Sequence, residues 1–185
     1  MSKYKIITLS GVTASGKTSI ARELIAVPEF KMLVSYTTRK PRDSDLPGEY
    51  NYVTDDEFVR QEDSFLWTNE YGGTRYATKK QDLEDALQAD YTSVMILVPS
   101  KVEELLKYVP KDSVISVFVE TPSHGELFRR LKGRGGLSEE QINLRMKQSK
   151  SWELQARKST IPYRFVRNPR DVLDLAVEKV RGYFN

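Results

Sequence analysis

A glycine-rich loop between an apolar run and an amphipathic segment constrains the fold of this chain more than any other feature. The sequence GVTASGKT at residues 11–18 matches the pattern G-x-x-x-x-G-K-S/T. It follows the run YKIITLS (4–10), which is typical of a buried strand. It precedes KTSIARELIAV (17–27), in which apolar residues recur at helical spacing. A strand, a phosphate-binding loop and a helix in this order predict the first βα unit of an α/β protein.

The chemistry of this loop predicts a site for a nucleoside triphosphate. Glycines allow successive backbone N–H groups to turn toward a phosphate chain, and the following helix adds its positive end. Lys17 is expected to reach the β- and γ-phosphates as a catalytic residue, and the Thr18 hydroxyl to ligate Mg²⁺. The predicted triphosphate-binding residues are Gly11, Thr13, Ala14, Ser15, Gly16, Lys17, Thr18 and Ser19. An incidental glycine-rich turn is the alternative, and the loop alone does not distinguish GTPases, ATPases and kinases.

Strands and helices alternate along the rest of the chain. The runs SVMILV (93–98), SVISVFV (113–119) and RFVRN (164–168) are predicted strands with helical segments between them. This alternation predicts a parallel sheet with helices on both faces. Residues 34–90 differ, because they are rich in Tyr, Thr and Gly and contain short strand patterns. They predict a small β-rich insert above the carboxyl edge of the sheet, where such folds bind ligands.

Composition excludes several classes of protein. The 185 residues suit one domain, and 39% hydrophobic with 30% charged residues is ordinary for a globular chain. The net charge of +3 suits an anionic ligand, but 26 acidic residues among 29 basic ones make nucleic acid an unlikely partner. Cysteine is absent, and no apolar run is long enough to cross a membrane. We therefore expect a cytoplasmic protein that acts on small molecules, whose oligomeric state the sequence does not reveal.

Several motifs follow the loop in a characteristic order. They are VSYTTRKPR (34–42), GEYNYV (48–53), GGTRYAT (72–78), RRLKGRG (129–135) with INLRM (142–146), and VRN (166–168). With the loop at 11–18, these motifs make the chain similar to the guanylate kinase family over nearly its whole length. The resemblance implies phosphoryl transfer from ATP, with Mg²⁺ as cofactor, to a nucleoside or deoxynucleoside monophosphate (NMP), giving ADP and the diphosphate.

The resemblance also implies a division of the single domain and a role for individual residues. It implies a P-loop NTPase-type core (1–33, 91–125 and 158–185), an NMP-binding insert (34–90) and a helical lid (126–157). Arg39, Arg42, Tyr50 and Tyr76 would hold the acceptor phosphate, Ser35 and Thr78 would lie at its base, Arg134 and Arg145 would stabilise the transferring phosphoryl group, and Asn168 would lie near the base of ATP. The planar fork of arginine suits a dianionic phosphate. By contrast, Arg129, Arg130, Arg157 and His124 are expected to face solvent without a role in the site.

The sequence departs from the family where guanine would be selected. The family has a Glu where this chain has Trp67, and Asp where it has Ile96 and Val98. Trp67 is therefore predicted to offer the base a packing surface, or else to be a core tryptophan. Glu70 lies at an odd offset from Trp67, so it would need a strand bulge to replace the missing Glu. Glu120, after the strand at 113–119, is a candidate replacement for the missing aspartates near Mg²⁺.

These departures leave three functional hypotheses open. The first is an NMP kinase with altered or relaxed base choice, which the presence of Lys17, Thr18, Arg134 and Arg145 favours. The second is a catalytically weak guanylate-kinase-like binding module. The third is a kinase of another phosphate-bearing acceptor. The nearly balanced charge disfavours a base within nucleic acid as that acceptor.

Overall fold

The computed structural model describes residues 4–43, 45–71, 73–120, 123–133, 137–169 and 172–184. Its strands are β1 (Ile6–Ser10), β2 (Phe30–Met32), β3 (Ser35–Thr37), β4 (Tyr50–Tyr52), β5 (Phe65–Tyr71), β6 (Thr74–Lys79), β7 (Thr92–Ile96), β8 (Val114–Glu120) and β9 (Arg164–Arg167). Its α-helices are α1 (Lys17–Ile25), α2 (Asp55–Arg60), α3 (Lys80–Gln88), α4 (Pro99–Tyr108), α5 (His124–Gly133), α6 (Glu139–Lys158) and α7 (Leu173–Arg181).

The central sheet is wholly parallel and has the strand order β2-β7-β1-β8-β9. Consecutive residues of β1 bury their side chains on opposite faces. Ile7 packs with Leu24 of α1 and Val177 of α7, whereas Ile6 packs with Leu83 of α3 and Leu105 of α4. Both faces of the sheet are thus covered by helices, and the predicted α/β architecture is confirmed.

A second, mixed sheet has the order β4-β3-β6-β5. Strand β3 runs parallel to β4, whereas β6 is antiparallel to both β3 and β5. Successive side chains of each strand lie on opposite faces of this sheet. On one face, Tyr36, Phe65 and Ala77 form a small apolar cluster with Phe58. The opposite face carries the polar and aromatic residues that the next section describes.

Local signals in the sequence account for several element ends. Thr54 and Ser138 begin α2 and α6 as capping boxes, in which each hydroxyl accepts a bond from the backbone N–H three residues later. Strands β2, β3 and β6 were not predicted from the sequence, and β2 and β3 span only three residues each. The division into core, insert and lid at the stated residue numbers remains a prediction. No helix in the described ranges has the length and apolar character that a membrane span requires.

Candidate active site

One cleft lies between the carboxyl edge of the central sheet and the polar face of the second sheet. Its volume is about 520 Å³, within the usual range for small-molecule sites. The glycine-rich loop, the second sheet, the end of β7 and helix α6 all contribute to its walls. Among the lining residues are Gly11, Thr13, Lys17, Ser35, Tyr50, Trp67, Tyr76, Thr78, Ile96, Val98 and Arg145. The structure therefore brings half of the predicted site residues into one cavity.

The glycine-rich loop is held by close contacts with the sheet edge. Gly11 has a φ of 137°, and a Cβ there would lie 2.4 Å from the carbonyl oxygen of Val119. Gly16 has a φ of 98°, and a Cβ there would lie 1.9 Å from Nδ2 of Asn168. Ala14 also adopts a positive φ of 67°, which is uncommon for a residue other than glycine. The loop conformation thus needs glycine at 11 and 16 for space as well as for backbone freedom.

The loop presents groups that suit a phosphate chain. Nζ of Lys17 donates to the carbonyl oxygens of Gly11 and Val12 at 2.8 Å each, so the ammonium lies over the loop. Ser15 is fully buried, and its Oγ has no hydrogen-bond partner within the described part of the chain. The first N–H groups of α1, which begins at Lys17, have no acceptor inside the helix. An anion with several oxygens would satisfy these donors.

The donor set for a divalent cation is small. The described residues include no cluster of three or more His, Asp or Glu side chains. Thr18, in the first turn of α1, is half-buried. Because Mg²⁺ bound with nucleotides takes most of its ligands from phosphates and water, a single hydroxyl is compatible with it.

Asn168 and Arg130 fasten the loop from behind. Asn168 is buried at the end of β9, and its Nδ2 donates to the carbonyl of Ser15 at 3.0 Å. Arg130 donates to the carbonyl of Asn168 at 2.8 Å and to those of Ala14 and Ser15 at 3.4 Å each. Its Nε also pairs with the buried Glu126. The expectation that Arg130 faces solvent was therefore wrong, because its partners are backbone carbonyls from distant parts of the chain.

Replacing Arg130 by Ala is expected to destabilise the protein more than replacing Arg129. The substitution leaves the buried carbonyl of Asn168 without its donor, at a cost of about 2 kcal/mol. For a chain of this size that cost lowers Tm by about 4–8 °C, measured by thermal unfolding. Arg129 is the matched control, since it is 65% exposed and contacts only Glu126 among the described residues. Equal Tm values for the two variants would contradict the fastening role.

Two tyrosines of the second sheet face the cleft. Tyr50 and Tyr76 have ring centroids 6.2 Å apart, and both line the cavity with Ser35 and Thr78. Burial raises the pKa of the Tyr50 hydroxyl, and the negative charge of Glu49 raises it further. Tyr50 therefore remains a neutral hydrogen-bond donor across the physiological range. Two hydroxyl donors at this position suit the periphery of a phosphate.

Arg39 lies beside these tyrosines, whereas Arg42 does not. The Arg39 guanidinium lies 4.8 Å from the ring centroid of Tyr50 and pairs with Asp45 at 2.8 Å. Burial acts to lower the pKa of Arg39, but its bond with Asp45 raises the pKa overall, so the group stays charged. Arg42 is exposed, its backbone N–H donates to the Asp45 carboxylate at 2.8 Å, and its carbonyl oxygen accepts from the Asp45 N–H at 3.0 Å. Neither arginine belongs to the lining of the cleft, and only Arg39 adjoins it through Tyr50.

Trp67 is a core residue that also borders the cleft, and its contact with the base remains a prediction. It is 8% exposed and packs with Leu33, Leu83 and Met95, yet it also lines the cleft. The bulge in β5 lies between Phe65 and Trp67, so pairing is regular from Trp67 onward. Glu70 is consequently opposite Arg75 in the strand register, on the other face of β5 from Trp67, although it also lines the cleft. It does not take the position of the missing Glu.

Several residues that line the cleft were not predicted from the sequence, and they lie on β5, at the start of α4 and on α6. Asn69 lies two residues after Trp67 and therefore on the same face of β5, a position that strand alternation could have indicated. Helix α6 contributes a stripe at spacings of three and four residues, namely Arg145, Gln148, Ser149, Trp152 and Gln155. Among these only Arg145 was predicted, and it forms no ion pair with any described residue. Arg134 lies outside the described residues.

Glu120 is not available for a metal near the loop. Its buried carboxylate contacts the guanidinium of Arg157 and lies 3.7 Å from Nε of Arg167. It lines a different cavity, which it shares with Lys150 and Glu153. The suggestion that Glu120 replaces the missing aspartates is therefore wrong. Arg157 is half-exposed but paired with Glu120 and Glu153, whereas His124 is exposed as expected.

Comparisons with known proteins agree with this geometry. A sequence model of the family described as guanylate kinase matches residues 3–183. The guanylate kinase of Bartonella quintana (strain Toulouse) is 34% identical over 149 residues, which cover 79% of this chain and 67% of that protein. That of Rubrobacter xylanophilus (strain DSM 9941 / JCM 11954 / NBRC 16129 / PRD-1) is 31% identical, covering 79% and 78%.

A solved structure supports the same assignment at the level of the fold. The guanylate kinase of Anaplasma phagocytophilum superimposes with a TM-score of 0.71 at 19% identity, covering 99% of this chain and 85% of that one. The sequence matches and the shared fold lead to one conclusion: this chain belongs to the guanylate kinase family.

Proposed function

We propose that this protein transfers the γ-phosphoryl group of ATP to a nucleoside or deoxynucleoside monophosphate, giving ADP and the diphosphate. One observation carries the proposal: Lys17 of the phosphate-binding loop and Tyr50 and Tyr76 of the second sheet line the same cleft. A donor phosphate at the loop and an acceptor phosphate at the tyrosines would then face each other. Membership of the guanylate kinase family supports this reading.

At the donor end, the loop residues Gly11, Thr13, Ala14, Ser15, Gly16, Thr18 and Ser19 would surround the phosphates of ATP. Lys17 would exchange its bonds with the loop carbonyls for the β- and γ-phosphates, and the Thr18 hydroxyl would hold Mg²⁺. When bound, Mg²⁺ neutralises charge on the phosphates. Asn168 holds the loop through Ser15, and a direct contact with ATP remains a prediction.

At the acceptor end, Arg39, Tyr50 and Tyr76 would hold the monophosphate, and Ser35 and Thr78 would lie beside the nucleoside. Arg42 would join them only if its side chain turned inward from its exposed position. Arg145, from α6, and Arg134 would supply positive charge to the transferring group. Phosphoryl transfer needs mainly alignment and charge compensation, which these groups can provide.

The proposed acceptor carries a base other than guanine, or one of several bases. Guanine presents N–H donors that a selective site meets with carboxylates. In this cleft the corresponding positions hold Trp67, Ile96 and Val98, and Glu70, which also lines it, belongs to the other face of β5. The cytoplasmic location predicted from the sequence remains a prediction, as do Mg²⁺ and the individual roles of the site residues.

The test is ADP release from ATP and Mg²⁺, measured with and without each common ribo- and deoxynucleoside monophosphate. We expect ADP release that depends on the monophosphate. Binding of monophosphates without ADP release would support the binding module instead. ADP release that no nucleoside monophosphate stimulates would contradict the proposed acceptor class. Strong turnover of GMP alone would contradict the altered base choice but leave the kinase activity in place.

Replacing Arg39 by Ala is expected to raise KM for the monophosphate by about 10- to 100-fold with a smaller effect on kcat. The loss of a charge-assisted hydrogen bond accounts for this size. Steady-state kinetics at saturating ATP measures it. The control is Arg75→Ala, because Arg75 is on the opposite face of the same sheet, where it pairs weakly with the exposed Asp55. A similar KM for both variants would contradict the phosphate clamp.

A further inference from the structure

Two surfaces line the part of the cleft that would receive the base. One is the face of β5 that carries Trp67 and Asn69, opposite Thr78 and Tyr76 of β6. The other is the stripe of α6 that includes Gln148 and Trp152. The chain contains two tryptophans, and both line this cleft. This part of the cleft, lined by Trp67, Asn69, Gln148 and Trp152, is called the slot here, and its indoles offer apolar contact to a flat base.

The floor between these surfaces is apolar. Ile96, Leu97 and Val98, at the end of β7, line the cleft where the family would place its aspartates. Ile96 and Leu97 are partly buried and pack against the two main apolar clusters. An aliphatic floor offers no acceptor to an exocyclic amino group, but it does offer contact to a ring carbon or a methyl group.

The polar groups near the base would be indole N–H groups, carboxamides and hydroxyls. The indole N–H groups only donate, whereas Asn69, Gln148, Gln155 and the hydroxyls of Ser35 and Thr78 can donate as well as accept. Lys101 also lines the cleft, but its ammonium is paired with Glu104. The only carboxylate among the described lining residues is that of Glu70, on the other face of β5. Such a slot favours a base with more carbonyl groups than amino groups.

We propose that the acceptor base is uracil or thymine, held between Asn69 and Trp67 on one side and Trp152 on the other. This inference rests on the proposed function. Uracil and thymine present two carbonyl oxygens on either side of one N–H group, which the donors and one carboxamide oxygen can satisfy. Guanine would leave its amino group without a carboxylate, and adenine and cytosine would each place an amino group among donors.

A substitution at Asn69 tests the base assignment. The wild-type protein is expected to give kcat/KM values for UMP or dTMP at least about tenfold above those for GMP. Asn69→Asp changes a carboxamide into a carboxylate of the same size and is expected to raise the GMP-to-UMP ratio at least about tenfold. Asn51→Asp is the control, because Asn51 is exposed on β4 and pairs with Tyr36 on the opposite face.

Tryptophan fluorescence tests the position of the base separately from turnover. In Trp67→Phe, Trp152 is the remaining tryptophan, and UMP or dTMP is expected to change its emission in a saturable manner. In Trp152→Ala, the preference for UMP or dTMP over GMP is expected to fall at least about fivefold, since one wall of the slot is lost. Circular dichroism of each variant checks that the fold is intact.

The possible outcomes separate the two proposals. A wild-type preference for GMP, or an Asn69→Asp variant with the wild-type ratio, would overturn the assignment of the base while leaving the kinase activity standing. Emission of Trp152 that no monophosphate alters would overturn its place in the slot. A protein that releases no ADP with any monophosphate would instead contradict the proposed function itself.

Discussion

Replacing Lys17 by Ala is expected to lower kcat by about 100- to 1000-fold, a loss of about 2.7–4 kcal/mol in transition-state stabilisation. The ammonium now lies over the loop, bonded to the carbonyls of Gly11 and Val12. In the proposed complex it would stay close to the transferring phosphoryl group and stabilise the negative charge that develops on it. ADP release at saturating ATP and monophosphate measures this effect.

The control for Lys17→Ala is Lys158→Ala, which removes the same charge from the exposed end of α6. Monophosphate binding by the Lys17 variant, followed by tryptophan fluorescence, should remain close to that of the wild type, because the acceptor clamp is elsewhere in the cleft. If Lys17→Ala retained wild-type kcat, the loop would not be the donor site.

Replacing Gly16 by Ala is expected to have the second largest effect, with activity reduced by at least about 100-fold and Tm lowered by several degrees. A Cβ at this position would lie 1.9 Å from Nδ2 of Asn168, which is buried and bonded to Ser15. The positive φ of 98° adds backbone strain of about 1–3 kcal/mol. The loop would have to move away from β9, and the N–H groups at the start of α1 would move with it.

Gly73→Ala separates backbone strain from the clash. Gly73 also has a positive φ, of 72°, but a Cβ there would meet nothing within 4 Å. This variant should lose stability comparable to the strain alone and keep most of its activity. Activity assays and thermal unfolding of both variants make the comparison. Equal losses of activity would show that the contact between Gly16 and Asn168 does not matter for the loop.

The parts of the fold that the sequence predicted are those with long, regular patterns. The buried strands β1, β7 and β8 and the last strand, β9, lie close to the predicted runs. Strands β2 and β3 span three residues each, which is too short for an alternation to be recognised. Strand β6 escaped notice because its sequence TRYATK is polar and only its Ala77 and Thr78 are buried.

The site residues that belong to a sequence motif were predicted, whereas those whose position depends on contacts between distant segments were missed. The glycine-rich loop and the tyrosines of the second sheet were identified from local sequence, and they meet in one cleft. Arg130 was expected to face solvent because most charged side chains are exposed. Its partners Ala14 and Asn168 are 116 and 38 residues away, so no local pattern could reveal them. The pairing of Arg39 with Asp45 was likewise invisible from sequence.

The acceptor half of the cleft was only partly predicted from the sequence. The missing carboxylates at Trp67, Ile96 and Val98 were visible, but the groups that face the base in their place were not. Asn69 could have been found by counting two residues from Trp67 along the strand. Trp152 could not be found in this way, because it reaches the cleft only through the packing of α6 against the glycine-rich loop and α5. Met146 of α6 and Leu131 of α5 belong to the same apolar cluster.

The most direct measurement of the central claim follows the γ-phosphoryl group itself. Purified protein is incubated with Mg²⁺, ATP labelled at the γ-phosphate and a nucleoside monophosphate, and the products are separated by chromatography. The account predicts that the label appears at the β-position of the nucleoside diphosphate, with one ADP formed for each diphosphate, and that Lys17→Ala slows this transfer by about 100- to 1000-fold. Label that stays in ATP, or that appears only as inorganic phosphate, would contradict it.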